Sequence, residues 1–179
     1  MTNNIWHTLN PERIKPDDFI ALIEIPKGSK NKYELDKDTG LIILDRVLHT
    51  STHYPANYGL IPRTYADDYD PLDVLVLCTE SIAPLTLVNC RPIGILKMTD
   101  QGQIDEKVIA VCVDDPFYNT YNDIDELPGH MFAEIRHFYE VYKMLENKHT
   151  SVKEIESNKS AERVIEMCMK RYDFEYGNR

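Results

Sequence analysis

The chain has 179 residues, of which 42% are hydrophobic, and carries a formal net charge of −10. That length predicts one domain over residues 1–179 with enough apolar content to bury a core, and the acidic balance excludes a typical nucleic-acid binder, whose affinity depends on Lys and Arg meeting phosphates. No apolar run approaches transmembrane length, and residues 1–7 lack the basic-then-apolar pattern of a leader, so a cytoplasmic protein is expected.

In chain order, residues 19–25 read as an apolar strand that carries Glu24 just ahead of Pro26-Lys27-Gly28. Lys32 and Glu34 alternate along Lys32-Tyr33-Glu34-Leu35-Asp36, and Arg46 interrupts a second apolar run at 41–48. Taken singly, each of these polar residues fits an outward-facing strand position as well as it fits a site. The run Ala66-Asp67-Asp68-Tyr69-Asp70-Pro71-Leu72-Asp73 is different, because it holds four carboxylates within seven positions and turns straight into the apolar strand 74–78. Clustered like charges repel unless cations or hydrogen bonds compensate. Hard cations such as Mg²⁺ or Mn²⁺ take oxygen ligands of this kind. Asp68 and Asp70 are two apart, on one side of an extended chain, while Pro71 stiffens the turn and Asp73 opens the strand. A solvated acidic loop is the alternative.

Strands at 86–98 and 107–113 follow, with a hairpin loop around Gly102 that sets Asp100 and Asp105 facing each other. From Gly129 the period changes: Met131, Ile135, Phe138, Tyr142 and Leu145 recur at helical spacing. Residues 146–159 are polar and read as a connection, and a second helix is predicted over 160–172 with Val164, Cys168 and Met169 or Tyr172 inward. Five strands with irregular connections, then two helices, predict an α+β, β-rich fold built on a small closed barrel. Cys78, Cys90, Cys112 and Cys168 contain no Cys-x-x-Cys pair, which argues for reduced, mostly core residues and against a zinc or redox motif.

Together these residues resemble the soluble inorganic pyrophosphatases of the first family. The signature is Asp68-Tyr69-Asp70-Pro71-Leu72-Asp73-Val74, and Glu24-Ile25-Pro26, Lys32-Tyr33-Glu34-Leu35-Asp36, Asp45-Arg46 and Tyr54-Pro55-Ala56-Asn57-Tyr58-Gly59 stand in family order around it. So do Arg91-Pro92-Ile93-Gly94, Lys97-Met98-Thr99-Asp100, Asp105-Glu106-Lys107 and His137-Phe138-Tyr139-Glu140-Val141-Tyr142-Lys143. The resemblance covers about residues 17–147, and Val111 to Pro116 with Tyr121-Asn122-Asp123-Ile124 is similar to plant-like members. It implies an OB-like five-stranded closed barrel with two main C-terminal helices packed outside, and Mg²⁺-dependent hydrolysis of pyrophosphate, with Mn²⁺ or Zn²⁺ as substitutes. A homo-oligomer is also implied, a hexamer by analogy with bacterial relatives.

Residue by residue, the resemblance implies Asp68, Asp73 and Asp105 as ligands of a first metal, Asp73 reaching a second, Asp100 with Asp105 holding a metal arriving with substrate, and Glu24 a further one through water. Lys32, Arg46, Tyr58, Lys107, Tyr142 and Lys143 would contact phosphate oxygens. Asp70 matches the proton acceptor for the attacking water, and Tyr54 and Glu34 match supporting catalytic positions. Charge balance agrees. Pyrophosphate brings roughly four negative charges, the four metal-site aspartates about four more, and the three lysines with Arg46 return only about +4, so at least about two divalent ions are required.

Two positions depart from the pattern. Tyr69 stands where the family usually holds Gly, Asn, Ser or Asp, which strains the backbone if φ is positive there, or simply points the ring outward. Val141 stands where some bacterial members have a second interfacial histidine near His137, so His137 is either a subunit contact or a surface residue. Among alternatives, an EF-hand fails because its sixth position, from Asp68, needs Gly where Asp73 stands. An OB-fold binding module has eleven tyrosines available for stacking but the wrong charge. A hydrolase of short polyphosphates or nucleoside diphosphates is the nearest enzymatic alternative, with no Gly-rich phosphate loop to support a nucleotide.

Overall fold

Where apolar side chains run without interruption, as in Val74-Leu75-Val76-Leu77, both faces of a strand have to be covered. The computed structural model, which describes residues 4–177, covers them. Helix α1 (Ile5–Thr8) precedes β1 (Phe19–Ile25), the hairpin β2 (Asn31–Leu35) and β3 (Ile42–Val47), then β4 (Asn57–Ile61), β5 (Leu72–Leu77) and the long β6 (Leu87–Asp100). After these come β7 (Gln103–Ile104), β8 (Lys107–Cys112), α2 (Gly129–Val141), β9 (Thr150–Ser157) and α3 (Asn158–Tyr176). Five strands close into a ring in the order β1, β4, β5, β8, β6, with β6 returning to β1. The β5–β8 pair is parallel and the other ring pairs are antiparallel.

Alternate side chains divide the core. Val74 and Val76 of β5 and Val108 and Ala110 of β8 pack with Ala161, Val164, Ile165 and Cys168 of α3. Leu75, Leu77, Ile109 and Val111 pack instead with Ile135, Phe138 and Tyr139 of α2. The helical stripes are those expected, except that Leu145 lies beyond the end of α2 and is 67% exposed. Tyr172 turns away from the main core to a third cluster with Trp6, Leu22, Leu35 and Leu60. All four cysteines are buried and free.

Three expectations are corrected. The run 41–48 forms β3, but β3 pairs only with β2 in a separate two-stranded sheet, and Leu41, Ile43 and Leu44 are exposed. The ring takes β4 as its fifth strand, a segment that was not among the expected strands. Gly59 is there because β1 crosses too closely for a side chain: a Cβ would stand 1.8 Å from the Leu22 carbonyl oxygen. Within 146–159, residues 150–157 form β9, which pairs with β6 from Gly94 to Asp100, beyond the stretch that pairs with β1. Finally, the turn Gln101-Gly102 has positive φ at both residues, the two-residue hairpin geometry, and pairs Asp100 with Gln103; Asp105 N donates to Met98 O at 3.0 Å. Asp100 and Asp105 are thus not directly opposite one another.

Gly59→Ala is expected to lower stability by about 3 kcal/mol or more, since backbone rather than a flexible side chain must move. Thermal unfolding that matches wild type would contradict the close crossing of β1 and β4.

Candidate active site

Parallel pairing of β5 and β8 sets Asp73 directly beside Lys107. Lys107 is 3% exposed, and its Nζ lies 2.7 Å from Asp73 Oδ2, 2.8 Å from Asp105 Oδ1 and 3.4 Å from the Tyr58 hydroxyl. The ammonium also stands over the Tyr58 and Tyr139 rings at 5.5 and 5.4 Å. Burial alone would lower the Lys107 pKa, but Asp105 and Asp73 outweigh it and hold the lysine charged, well above its ordinary range. For Asp73 burial dominates over Lys107 and the carboxyl is pushed up.

The acidic loop is tied at both ends by one residue. Thr64 Oγ1 donates to Ile61 O at 2.6 Å and accepts from Leu72 N at 2.8 Å. Inside the loop Ala66 N donates to Asp70 O at 2.8 Å, and Asp70 N to Asp68 Oδ1 at 3.2 Å, so Asp68 and Asp70 sit in a turn and not along an extended chain. Tyr69 meets both conditions anticipated for it: its φ is +69° and its side chain is 75% exposed. A left-handed non-glycine residue costs about 1–2 kcal/mol. Burial, then Asp73, pushes Asp68 up to about 6. Asp67 turns out of the cleft to pair with Arg171 of α3 at 2.6 Å, and Asp70 pairs with Lys37.

Glu24 of β1 is buried and accepts a hydrogen bond from Leu35 N at 2.7 Å. Burial raises it to about 8; the Leu35 bond opposes the shift and Asp73 adds to it. Lys32 pairs with Glu34 and reaches Asp45 at 3.4 Å. Lys143 pairs with Asp100 Oδ2, while Asp100 Oδ1 is buried with no hydrogen-bond partner. Tyr58 and Tyr142 are buried, which drives both phenols well above their ordinary range and keeps them protonated.

Twelve of the expected residues line one cleft of about 210 Å³: Glu24, Lys32, Glu34, Tyr58, Asp68 and Asp70 on one side of the sequence, and Asp73, Asp100, Asp105, Lys107, Tyr142 and Lys143 on the other. Two lie outside its lining. Tyr54 is buried behind it, against Tyr58 and Phe138 at 5.4 and 4.8 Å between ring centroids. Arg46 stands opposite Lys32 in the β2–β3 hairpin and pairs with Asp45 and, at 2.9 Å, with Glu146, its Nη2 buried and without a hydrogen bond. Tyr33 and Lys37 line the cleft without having been singled out from sequence, and Glu146 was also unexpected. Lys37 lies in a polar turn that carries no periodicity. His137 is exposed on α2.

Seven carboxyls against four ammonium groups line the cleft. Hard oxygen donors, the unpartnered Asp100 Oδ1 and the raised Glu24 and Asp68 fit a hard divalent cation. Among the described residues, no three His, Cys, Asp or Glu side chains are already gathered at one point, so the carboxylates ring the cleft with Lys107 between Asp73 and Asp105.

Residues 21–173 match the family model described as inorganic pyrophosphatase. Soluble inorganic pyrophosphatase 2 of Chlamydomonas reinhardtii is 46% identical over 96% of this chain and 89% of its own. Soluble inorganic pyrophosphatase 1 of Arabidopsis thaliana is 50% identical over 93% and 79%. Among solved structures, the inorganic pyrophosphatase of Thermus thermophilus superposes with a TM-score of 0.90 at 40% identity, covering 94% of this chain and 99% of that one. That of Helicobacter pylori gives 0.89 at 42% identity, covering 93% and 99%.

The raised Glu24 has a consequence for stability without added metal. Its folded-state value of about 8 exceeds the ordinary 4.5, so its contribution is fully present below the latter and is lost as pH rises through the former. Glu24→Gln, which keeps an acceptor for Leu35 N, is therefore expected to gain on wild type in melting temperature between about pH 5 and pH 9. A difference that stays constant across that range would contradict the burial of an ionising Glu24.

Proposed function

The chain belongs to the inorganic pyrophosphatase family and is an inorganic diphosphatase, and from that premise we propose that this cleft hydrolyses pyrophosphate to two phosphates with Mg²⁺ held by its carboxylates. The observation that carries the proposal is the charged lysine enclosed between Asp73 and Asp105 within an acidic cleft. So acidic a cleft repels a tetraanion unless cations join it.

Asp68, Asp73 and Asp105 are the ligands we assign first, with Asp100 and Glu24 supporting them. Divalent cations bound there neutralise the anion and lower the proton affinity of water. Asp70 takes the proton of the attacking water; half of its side chain is exposed, which leaves it within reach of solvent. Water adds across the phosphorus–oxygen bridge: its oxygen goes to one phosphorus, the bridging oxygen leaves with the other, and the proton on Asp70 passes on to product. Lys32, Lys107 and Lys143 bring positive charge towards the phosphates, and Arg46 contributes bidentate contacts by exchanging Glu146 or Asp45 for substrate. Tyr58 and Tyr142 donate hydrogen bonds without adding charge. Glu34 orients Lys32, and Tyr54 supports the Tyr58 ring. The proposal also takes the enzyme to be cytoplasmic and homo-oligomeric.

Phosphate release from pyrophosphate, with ATP and tripolyphosphate alongside, tests the reaction: release is expected from pyrophosphate in preference, and only with Mg²⁺. Equal rates after metal removal, or preference for ATP, would overturn it. Asp70→Asn is expected to lower turnover by about 10²-fold or more while calorimetric Mg²⁺ affinity changes little. Asp73→Asn is expected to weaken Mg²⁺ binding itself, and the reverse pattern would exchange their roles.

A further inference from the structure

Lys37 is a cation of the cleft to which the reaction above gives no task. It lies in the turn between β2 and β3, and its ammonium pairs with Asp70. The same nitrogen stands 5.5 Å from the centroid of the Trp6 ring. A cation over an indole face is favoured because the ring presents its negative side. Trp6 is itself fixed. It is 4% exposed, its indole Nε1 donates to Thr64 O at 2.9 Å, and its carbonyl accepts from Arg63 N at 3.0 Å. Thr64 is the residue that ties both ends of the acidic loop. Asn4 Nδ2 donates to Lys37 O at 3.1 Å, which holds the turn against the same segment. Residues 4–9 thus grip the backbone at the root of the Asp70 loop and, through Trp6, the cation facing Asp70. They lie outside the part of the chain matched by the family model.

We propose that Trp6 and Lys37 are positioning residues: the indole face holds the Lys37 ammonium against Asp70 and thereby fixes the orientation of that carboxylate. The inference rests on Asp70 as the proton acceptor. The competing role for Lys37 is direct contact with phosphate. A misaligned proton acceptor lowers kcat, whereas loss of a cation that binds substrate and transition state equally raises KM.

The test is steady-state pyrophosphate hydrolysis by Lys37→Met, Lys37→Arg and Trp6→Leu, each made alone and in an Asp70→Asn background. Lys37→Met is expected to lower kcat about tenfold with KM within about twofold. Lys37→Arg keeps the charge and stacks on indole, and should stay within about threefold of wild type. Trp6→Leu should follow Lys37→Met in direction, and in the Asp70→Asn background no variant should lose more than about a further twofold. A raised KM at unchanged kcat, equal losses in both backgrounds, or unchanged constants would each overturn the proposal. Turnover retained by Asp70→Asn alone instead sinks the proton-acceptor reading. In that event the arrangement is judged by Trp6 emission, since Trp6 is the only tryptophan: Lys37→Met and Asp70→Asn must each shift the metal-free spectrum, and no shift from either overturns the held contact.

Discussion

Lys107 opens β8 in direct register with Asp73 near the start of β5, and its side chain lines the cleft while only 3% exposed. An ammonium buried in this way is tolerable only when paired, and it is paired twice, to Asp73 and Asp105. The pairing runs both ways: Asp73 and Asp105 each have their nearest cation in this lysine, at 2.7 and 2.8 Å. Tyr58 and Tyr139 complete the enclosure with ring faces that favour the cation. The three side chains form one hydrogen-bonded cluster, around which the more exposed members of the cleft are arranged.

Stability is given up around this unit in several places. Glu24 is buried with a single backbone donor, Asp100 Oδ1 has no partner, and Tyr69 holds a left-handed backbone. The fold carries these liabilities because the surrounding ring is tightly determined: β5 and β8 are covered on both faces, and Thr64 clamps the acidic loop at its two ends. In the proposed reaction, each liability holds oxygen atoms or a turn where a hard cation and a charged anion would meet the cleft.

The parts of this architecture that sequence made legible are those set by local chemistry. Runs rich in Ile, Val and Leu at 19–25, 74–78 and 107–113 announce strands, and the clustered aspartates mark the loop that lines the cleft. Strand β4 was hidden because its composition reflects a tight crossing, with Gly59 chosen for want of space and not for a turn. Strand β9 was hidden because it covers only part of β6 and buries only Thr150 and Val152 fully, so its pattern stays polar. Lys37 and Glu146 were missed for a different reason: their partners, Asp70 and Arg46, are distant in sequence, and pairing over such separations leaves no trace in local spacing. Tyr69 was visible as an oddity, while the positive φ behind it belongs to the loop's tertiary closure.

The buried triad is tested most directly by thermal unfolding of Lys107→Met with and without Mg²⁺. Removing one partner of a buried charge pair costs about 3–5 kcal/mol. The metal-free variant should therefore melt well below wild type, and Mg²⁺ should raise its melting temperature by more than it raises that of wild type, because the cation then compensates both carboxylates. A metal-free melting temperature equal to wild type, with the same increment from Mg²⁺, would contradict the claim that Lys107 holds the site together.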